Sequence, residues 1–170
     1  MIDHHRLLEL LDYDPLTGIF TRKIALSRRN KVGDVAGNLT KGYIELSVDG
    51  HTYRAHQLAW FYVHGRWPVG ELDHRNLIKS DNSIGNLREA TDSQNGGNSP
   101  MRKNNRTGFK GVTAHEQKYK AAVMVNRKRI HLGVFDTPEQ AAMAYDAAAL
   151  KHFGEFALIN QQPNQSGECS

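Results

Sequence analysis

Asp73-His74-Arg75-Asn76-Leu77-Ile78-Lys79-Ser80-Asp81-Asn82-Ser83-Ile84-Gly85-Asn86-Leu87-Arg88 opens the stretch that decides how the chain reads, and Thr91-Asp92-Ser93-Gln94-Asn95 closes it. It is polar, rich in Asn and Asp, and follows an apolar run and a Pro. Taken alone, Asp81-Asn82-Ser83 reads as a turn or helix cap, and a lone Asp-His pair faces solvent more often than it catalyses. The spacing of Asp73, His74, Asn86 and Asn95 is what raises the stretch above that reading. Histidine titrates near neutrality and suits a general base. A carboxylate and an amide carbonyl are hard oxygen donors, suited to Mg²⁺, which needs only one or two protein groups beside water and phosphate oxygens.

From about His56 to Asn95, with Asn86-Leu87-Arg88 and Thr91-x-x-x-Asn95, the pattern resembles the HNH nuclease motif, a ββα-metal site. The resemblance implies metal binding by Asp73 and Asn95. It gives His74 the base role, and makes Asn86 the residue that holds the loop and helps orient His74. Mg²⁺ is the implied cofactor, with Mn²⁺ as a substitute. His56 lies in an Ala-His-x-Leu-Ala pattern of the same region and is read as structural. Two positions depart from the motif: Leu77 stands where the family carries Gly, and Ser83 where it carries Arg. Leu77 argues against a left-handed backbone there, and Ser83 removes a phosphate contact.

The chain has 170 residues, a formal net charge of +4 and a mean hydropathy of −0.60, which permits one domain or two small ones. No apolar run is long enough for a membrane span, and the N-terminus lacks an apolar signal core. The one cysteine, Cys169, excludes an internal disulfide and any zinc site with two cysteines. A reducing, cytoplasmic setting is expected, the host cytoplasm if the gene is a phage's. Charge is unevenly placed. Residues 1–100 hold twelve Lys/Arg and twelve Asp/Glu, whereas residues 101–131 hold nine and one. Such a basic stretch is the footprint of nucleic-acid binding, although a solvated basic face is a common alternative.

Along the chain, residues 3–12 read as a helix capped by Asp3, with a stripe of Leu7, Leu8 and Leu11. Tyr13 to Gly18 reads as a turn, Ile19–Lys23 as a strand and Ser27–Gly33 as a basic loop. Tyr43–Val48 and His51–His56 flank Asp49-Gly50, a strong hairpin signal. Leu58–His64 follows as a helix, with His56 before it. Ile84–Asn95 is expected to be the helix of the metal site, stopped by Gly96-Gly97-Asn98-Ser99-Pro100.

Strands are expected at Phe109–Thr113, Tyr119–Val125 and Arg129–Phe135, with a turn at Asn126-Arg127. Thr137 then caps a helix with Pro138 in its first turn and Gln140 placed for a capping box. Ala141, Ala142, Tyr145, Ala148, Ala149 and His152 or Phe153 form its small-residue stripe, and Gly154 stops it. With Lys110-Gly111-Val112 and Leu132-Gly-x-Phe135-Asp-Thr-x-Glu-x-Ala-Ala, this order resembles the AP2 DNA-binding domain, whose sheet enters the major groove. The resemblance puts Lys110, Thr113, His115, Arg129 and His131 on the DNA side; charge and strand alternation add Lys120 and Arg127. Arg102, Lys103 and Arg106 read as phosphate contacts of a basic connection. Thr113, Ala122, Met124 and His131 stand where plant-type domains carry Arg, Glu, Arg and Trp, so weaker base readout is expected.

The expected fold class is α+β. An HNH core with N-terminal hairpin elements spans 1–97, a basic linker 98–104, an AP2-like three-stranded antiparallel sheet on one helix 105–160, and a disordered tail 161–170. The architecture resembles free-standing homing endonucleases of bacteriophage type. The implied activity is metal-dependent hydrolysis of double-stranded DNA by a monomer or homodimer, with neither membrane nor small-molecule cofactor involved. The alternative is a non-catalytic DNA-binding regulator with a decayed HNH fold.

Overall fold

The computed structural model describes residues 1–25 and 30–160. Part of the basic Ser27–Gly33 stretch and the whole of 161–170 fall outside these. The chain divides into two compact units, Met1–Ala90 and Thr91–Ser170, each an assembly of helices with small antiparallel sheets.

The first unit opens with α1 (His4–Leu10), capped by the Asp3 carboxylate, which accepts from the His5 N–H at 2.8 Å. The helix is shorter than its sequence suggests. Leu11 is already extended and begins β1 (Leu11–Asp14), which pairs with β2 (Ile19–Arg22). The buried residues are therefore Leu7 and Leu10 on the helix and Leu11 on the strand, with Leu8 only half-buried. In the β1–β2 turn, the Asp14 carboxylate accepts from the Leu16 N–H at 2.9 Å and the Thr17 hydroxyl at 2.7 Å.

A three-stranded sheet follows in the order β3 (Asn38–Thr40), β4 (Tyr43–Val48), β5 (His51–Arg54). Its turns are Lys41-Gly42 and Asp49-Gly50, and all four residues have positive φ, as tight hairpins require. Helix α2 (Ala55–His64) starts directly from β5 and ends at Gly65 in the left-handed region. Its start is three residues earlier than expected, which puts His56 in its first turn. Leu7, Leu10, Leu11, Phe20, Leu46, Val48, Leu58, Ala59, Phe61 and Leu87 are core residues. At the end of this unit β6 (Glu71–His74) pairs with β7 (Leu87–Ala90). The helix expected over Ile84–Asn95 is instead a single 3-10 turn at Ile84–Asn86, then β7, then α3 (Asp92–Asn98). Leu87 and Ala90 are core residues of an extended segment, so their spacing mimics helical periodicity.

The second unit begins with α3, whose cap Thr91 forms a reciprocal capping box with Gln94. Its sheet runs β10 (Lys128–Phe135), β9 (Lys118–Val125), β8 (Val112–His115), and α4 (Pro138–Phe153) packs on it. The β9–β10 turn is Asn126-Arg127, both at positive φ. Thr137, Pro138 and Gln140 open α4 and Gly154 closes it, as the sequence implies. Ala141, Ala142, Tyr145, Ala149 and Phe153 are its buried face, with Ala148 half-buried and His152 exposed. The first strand starts at Val112 because Gly111 has a positive φ of 76° and lies so close over Tyr145 that a Cβ there would meet the ring at 1.9 Å. No helix among the described residues is long and apolar enough to cross a membrane.

Candidate active site and nucleic-acid interface

Strand pairing brings Asp73 opposite Arg88 and His74 opposite Leu87. Asp73, His74 and Arg88 are all buried. Asp73 Oδ2 accepts from Arg88 Nε at 2.9 Å, with Nη2 at 2.8 Å from the same oxygen. The guanidinium neutralises the carboxylate and fixes its plane, which offsets the desolvation of both groups. Sequence reading missed Arg88 as a site residue; its signal was the Asn86-Leu87-Arg88 element, whose Arg is placed opposite Asp73 only by the register.

His74 Nε2 lies 3.5 Å from Asn82 Oδ1, a long contact. The Asn82 amide is oriented by its own Nδ2, which donates to the Ser80 carbonyl at 3.2 Å. An amide oxygen can only accept, so this contact is a hydrogen bond in the ring form that carries a proton on Nε2. Burial lowers the His74 pKa, against the pull of Asn82, Asp73 and Asp81. A neutral imidazole near pH 7 is the form a general base needs.

The His56 ring meets His74 edge-on, with centroids 5.1 Å apart, and Tyr43 completes the cluster at 5.5 Å from His56 and 6.3 Å from His74. Burial, with the neighbouring His74 and Arg54, pushes the His56 pKa down to about 3. Its Nδ1 has no hydrogen-bond partner among the described residues.

Asn86 holds the loop by both ends of its amide. Oδ1 accepts from the Asn76 N–H at 3.0 Å and Nδ2 donates to the Asp81 carbonyl at 2.8 Å. Asp81 is in turn held by Asn76 and Ser83, whose hydroxyl donates to it at 2.7 Å. Ser83, in place of Arg, is thus a loop-closing residue. Leu77 overturns the expectation drawn from it, because its φ is +64°. The loop requires the left-handed conformation there, and a branched side chain adopts it at a cost.

Asn95 lies on α3, in the second unit. Among the described residues no group of three or more His, Cys, Asp or Glu side chains is gathered for a metal. The donors implied here are of another kind, one carboxylate and one amide oxygen, which fit a hard, mostly hydrated cation such as Mg²⁺.

On the second unit, residues directly opposite across the sheet share a face. Register puts Arg129 beside Met124, His131 beside Ala122, Lys120 between Thr113 and Val134, and His115 beside Lys118. Thr113, Met124, Arg129 and His131 are exposed, while Lys120 and His115 are half-buried. Arg127, at the turn, donates to Asp92 at 2.7 Å. Arg102, Lys103 and Arg106 are exposed and outside regular structure. Lys110 is a correction. The close approach of Gly111 to Tyr145 turns it inward, where its Nζ donates to the Gly97 carbonyl of α3 at 2.6 Å and lies 5.9 Å from the ring centre of Tyr145 on α4. Burial brings its pKa down to about 8, with Asp146 opposing. It is part of the packing between sheet and helix rather than of the outer face.

Within the first unit, the paired strands carry Asp73 and His74 beside a loop bridged by Asn86. Residues 53–96 match the HNH endonuclease family. An uncharacterised HNH endonuclease, L560, of Acanthamoeba polyphaga mimivirus is 32% identical over 128 residues, which covers 72% of this chain and 65% of that protein. A match of that length takes in parts of both units. The C-terminal region is similar to AP2 proteins of plants. APETALA2-like protein 2 of Oryza sativa subsp. indica is 41% identical over 58 residues, covering 32% of this chain and 13% of that protein. Ethylene-responsive transcription factor-like protein At4g13040 of Arabidopsis thaliana is 48% identical over 56 residues, covering 33% and 22%. The chain thus spans less than two thirds of the length of each of these relatives.

Proposed function

We propose that this protein is a metal-dependent DNA endonuclease of the homing type, in which the C-terminal sheet binds duplex DNA and the HNH domain hydrolyses a phosphodiester bond. The observation that carries the reading is the buried Asp73-His74 pair at the end of β6, with Arg88 on the carboxylate and Asn82 beside the imidazole. His74, held beside Asn82, takes the proton from the attacking water. Asn86 keeps the loop closed so that this orientation persists. By likeness to the family, Asp73, which also pairs with Arg88, and Asn95 are the residues that would hold a divalent cation, Mg²⁺ or Mn²⁺. When bound, the cation supplies charge stabilisation at the leaving 3′ oxygen. By likeness to the family, the products carry 5′-phosphate and 3′-hydroxyl ends. One such site per chain suits a monomer that nicks one strand, and a homodimer would cut both.

DNA contacts fall to the outer sheet face, with Thr113, His115, Lys120, Arg129 and His131, to Arg127 at its turn, and to Arg102, Lys103 and Arg106 on the preceding segment. Phosphate contacts supply most of the affinity. The test is supercoiled plasmid incubated with purified protein, with and without Mg²⁺ or Mn²⁺, alongside His74→Ala. Metal-dependent nicked or linear product that disappears in the variant is expected. An unchanged plasmid in every lane, with intact DNA binding, would make the protein a regulator instead.

A further inference from the structure

Tyr43, on the first residue of β4, carries two cations on one ring. The Arg54 guanidinium lies 4.5 Å from the ring centre and the Lys79 ammonium 4.8 Å. The three residues come from separate segments: Tyr43 follows the Lys41-Gly42 turn, Arg54 ends β5, and Lys79 belongs to the loop after His74. Both cations are exposed while the ring is half-buried. Neither makes an ion pair among the described residues. Glu45 stands opposite Arg54 in the sheet register, but the guanidinium turns to Tyr43 instead.

Two features mark this as more than two loose surface charges. A Cβ at Gly42 would lie 3.8 Å from Lys79 Cδ, so the lysine stem runs along the turn while its head sits on the ring. The ring is also part of the His56–His74 cluster, so the two cations sit beside the candidate catalytic histidine. Two like charges gathered at one face repel each other unless an anion joins them. Cation–π contact holds them in place without consuming their charge.

We infer that Tyr43, Arg54 and Lys79 form a phosphate clamp, taking backbone phosphates of the DNA strand beside His74. This rests on the nuclease reading for its role, but not for its test. The aromatic face is the organising element. It fixes a guanidinium, which pairs with phosphate oxygens in two-pronged fashion, beside a compact ammonium.

The test is duplex binding by the full chain in EDTA over a series of salt concentrations, followed by nicking in Mg²⁺. Arg54 starts α2 without a side-chain cap bond, so replacing it leaves the helix start intact. Arg54→Ala with Lys79→Ala should make the slope of log affinity against log salt shallower by about 1.8, the value for two lost phosphate contacts. Tyr43→Leu keeps every charge and should still reproduce at least half of that change. Tyr43→Phe, which keeps the face and loses only the hydroxyl, should bind like wild type. In Mg²⁺, Tyr43→Leu and the double variant should nick more than tenfold more slowly. An unchanged salt slope in the double variant overturns the clamp, as does wild-type behaviour of Tyr43→Leu. A wild type that never nicks, yet shows these slopes, overturns the nuclease reading and leaves the clamp standing.

Discussion

The Tyr13 hydroxyl donates to the backbone carbonyl of Asn82 at 2.7 Å, across 69 residues of sequence. The N-terminal hairpin thereby supports the loop whose Asn82 side chain faces His74. The Ile84 N–H, donating to the Pro15 carbonyl at 3.0 Å, fastens the same loop a second time. Tyr13→Phe should lower stability by about 1 kcal/mol, the worth of one hydrogen bond with a buried acceptor left open. Its nicking rate should fall by more than that loss explains at a temperature where the variant is fully folded. Thermal melts and single-turnover cleavage measure the two separately.

Gly18 is where the hairpin and the loop touch. A Cβ there would lie 2.3 Å from Asn82 C and from Ser83 N, both backbone atoms, and its φ is +72°. Gly18→Ala should therefore destabilise the first unit by roughly 3 kcal/mol or more, combining overpacking with a disfavoured backbone. Gly50→Ala, also at positive φ but with nothing within 4 Å, isolates the backbone cost. Equal melting temperatures for the two variants would contradict the close-contact account.

Arg88→Met removes the cation from the buried carboxylate of Asp73. Loss of one member of a buried pair costs about 3–5 kcal/mol. The double change Arg88→Met with Asp73→Asn should recover much of that stability without recovering activity. Urea denaturation of the set gives the coupling directly, and additive losses would mean that the pair is not what holds β6 to β7 here.

Leu77 sits at φ +64° in the loop after His74, where the related motif carries Gly. Leu77→Gly should relieve roughly 1–2 kcal/mol of backbone strain, offset in part by the greater freedom of glycine in the unfolded chain. The expected outcome is a melting temperature equal to or a few degrees above wild type, with nicking retained. A drop of several degrees would show that the side chain contributes packing that outweighs the strain.

Acid should unfold the first unit early. His56 is held neutral by burial, its pKa at about 3 against an ordinary value of 6.5. The unfolded chain therefore takes up the proton first, and stability present above pH 6.5 is lost as the pH falls toward 3, by up to roughly 5 kcal/mol. The lowered pKa of His74 acts in the same direction. His56→Phe, which keeps a ring in the cluster, should flatten the decline between pH 6.5 and 4. Urea midpoints across that range check it, and parallel curves for the two proteins would remove His56 as the cause.

Much of the fold was legible in local sequence because the signals were local. Asp49-Gly50 needs positive φ at adjacent positions, Thr137-Pro138 with Gln140 caps a helix by side-chain chemistry, and Asn126-Arg127 closes a two-residue hairpin. The Asp73, His74, Asn86 and Asn95 spacing was equally plain, and it sufficed to point to an HNH domain. Ile84–Asn95 misled because a 3-10 turn, a short strand and a short helix in succession bury residues at intervals that resemble one longer helix. What only tertiary structure decided was partnership. Arg88 reaches Asp73 through strand register, Asn82 reaches His74 because the N-terminal hairpin holds the loop, and Lys110 turns inward because Gly111 lies against Tyr145. A sequence states which groups are available. Which of them lose water and meet a partner depends on packing between segments far apart in the chain, and no local pattern carries that information.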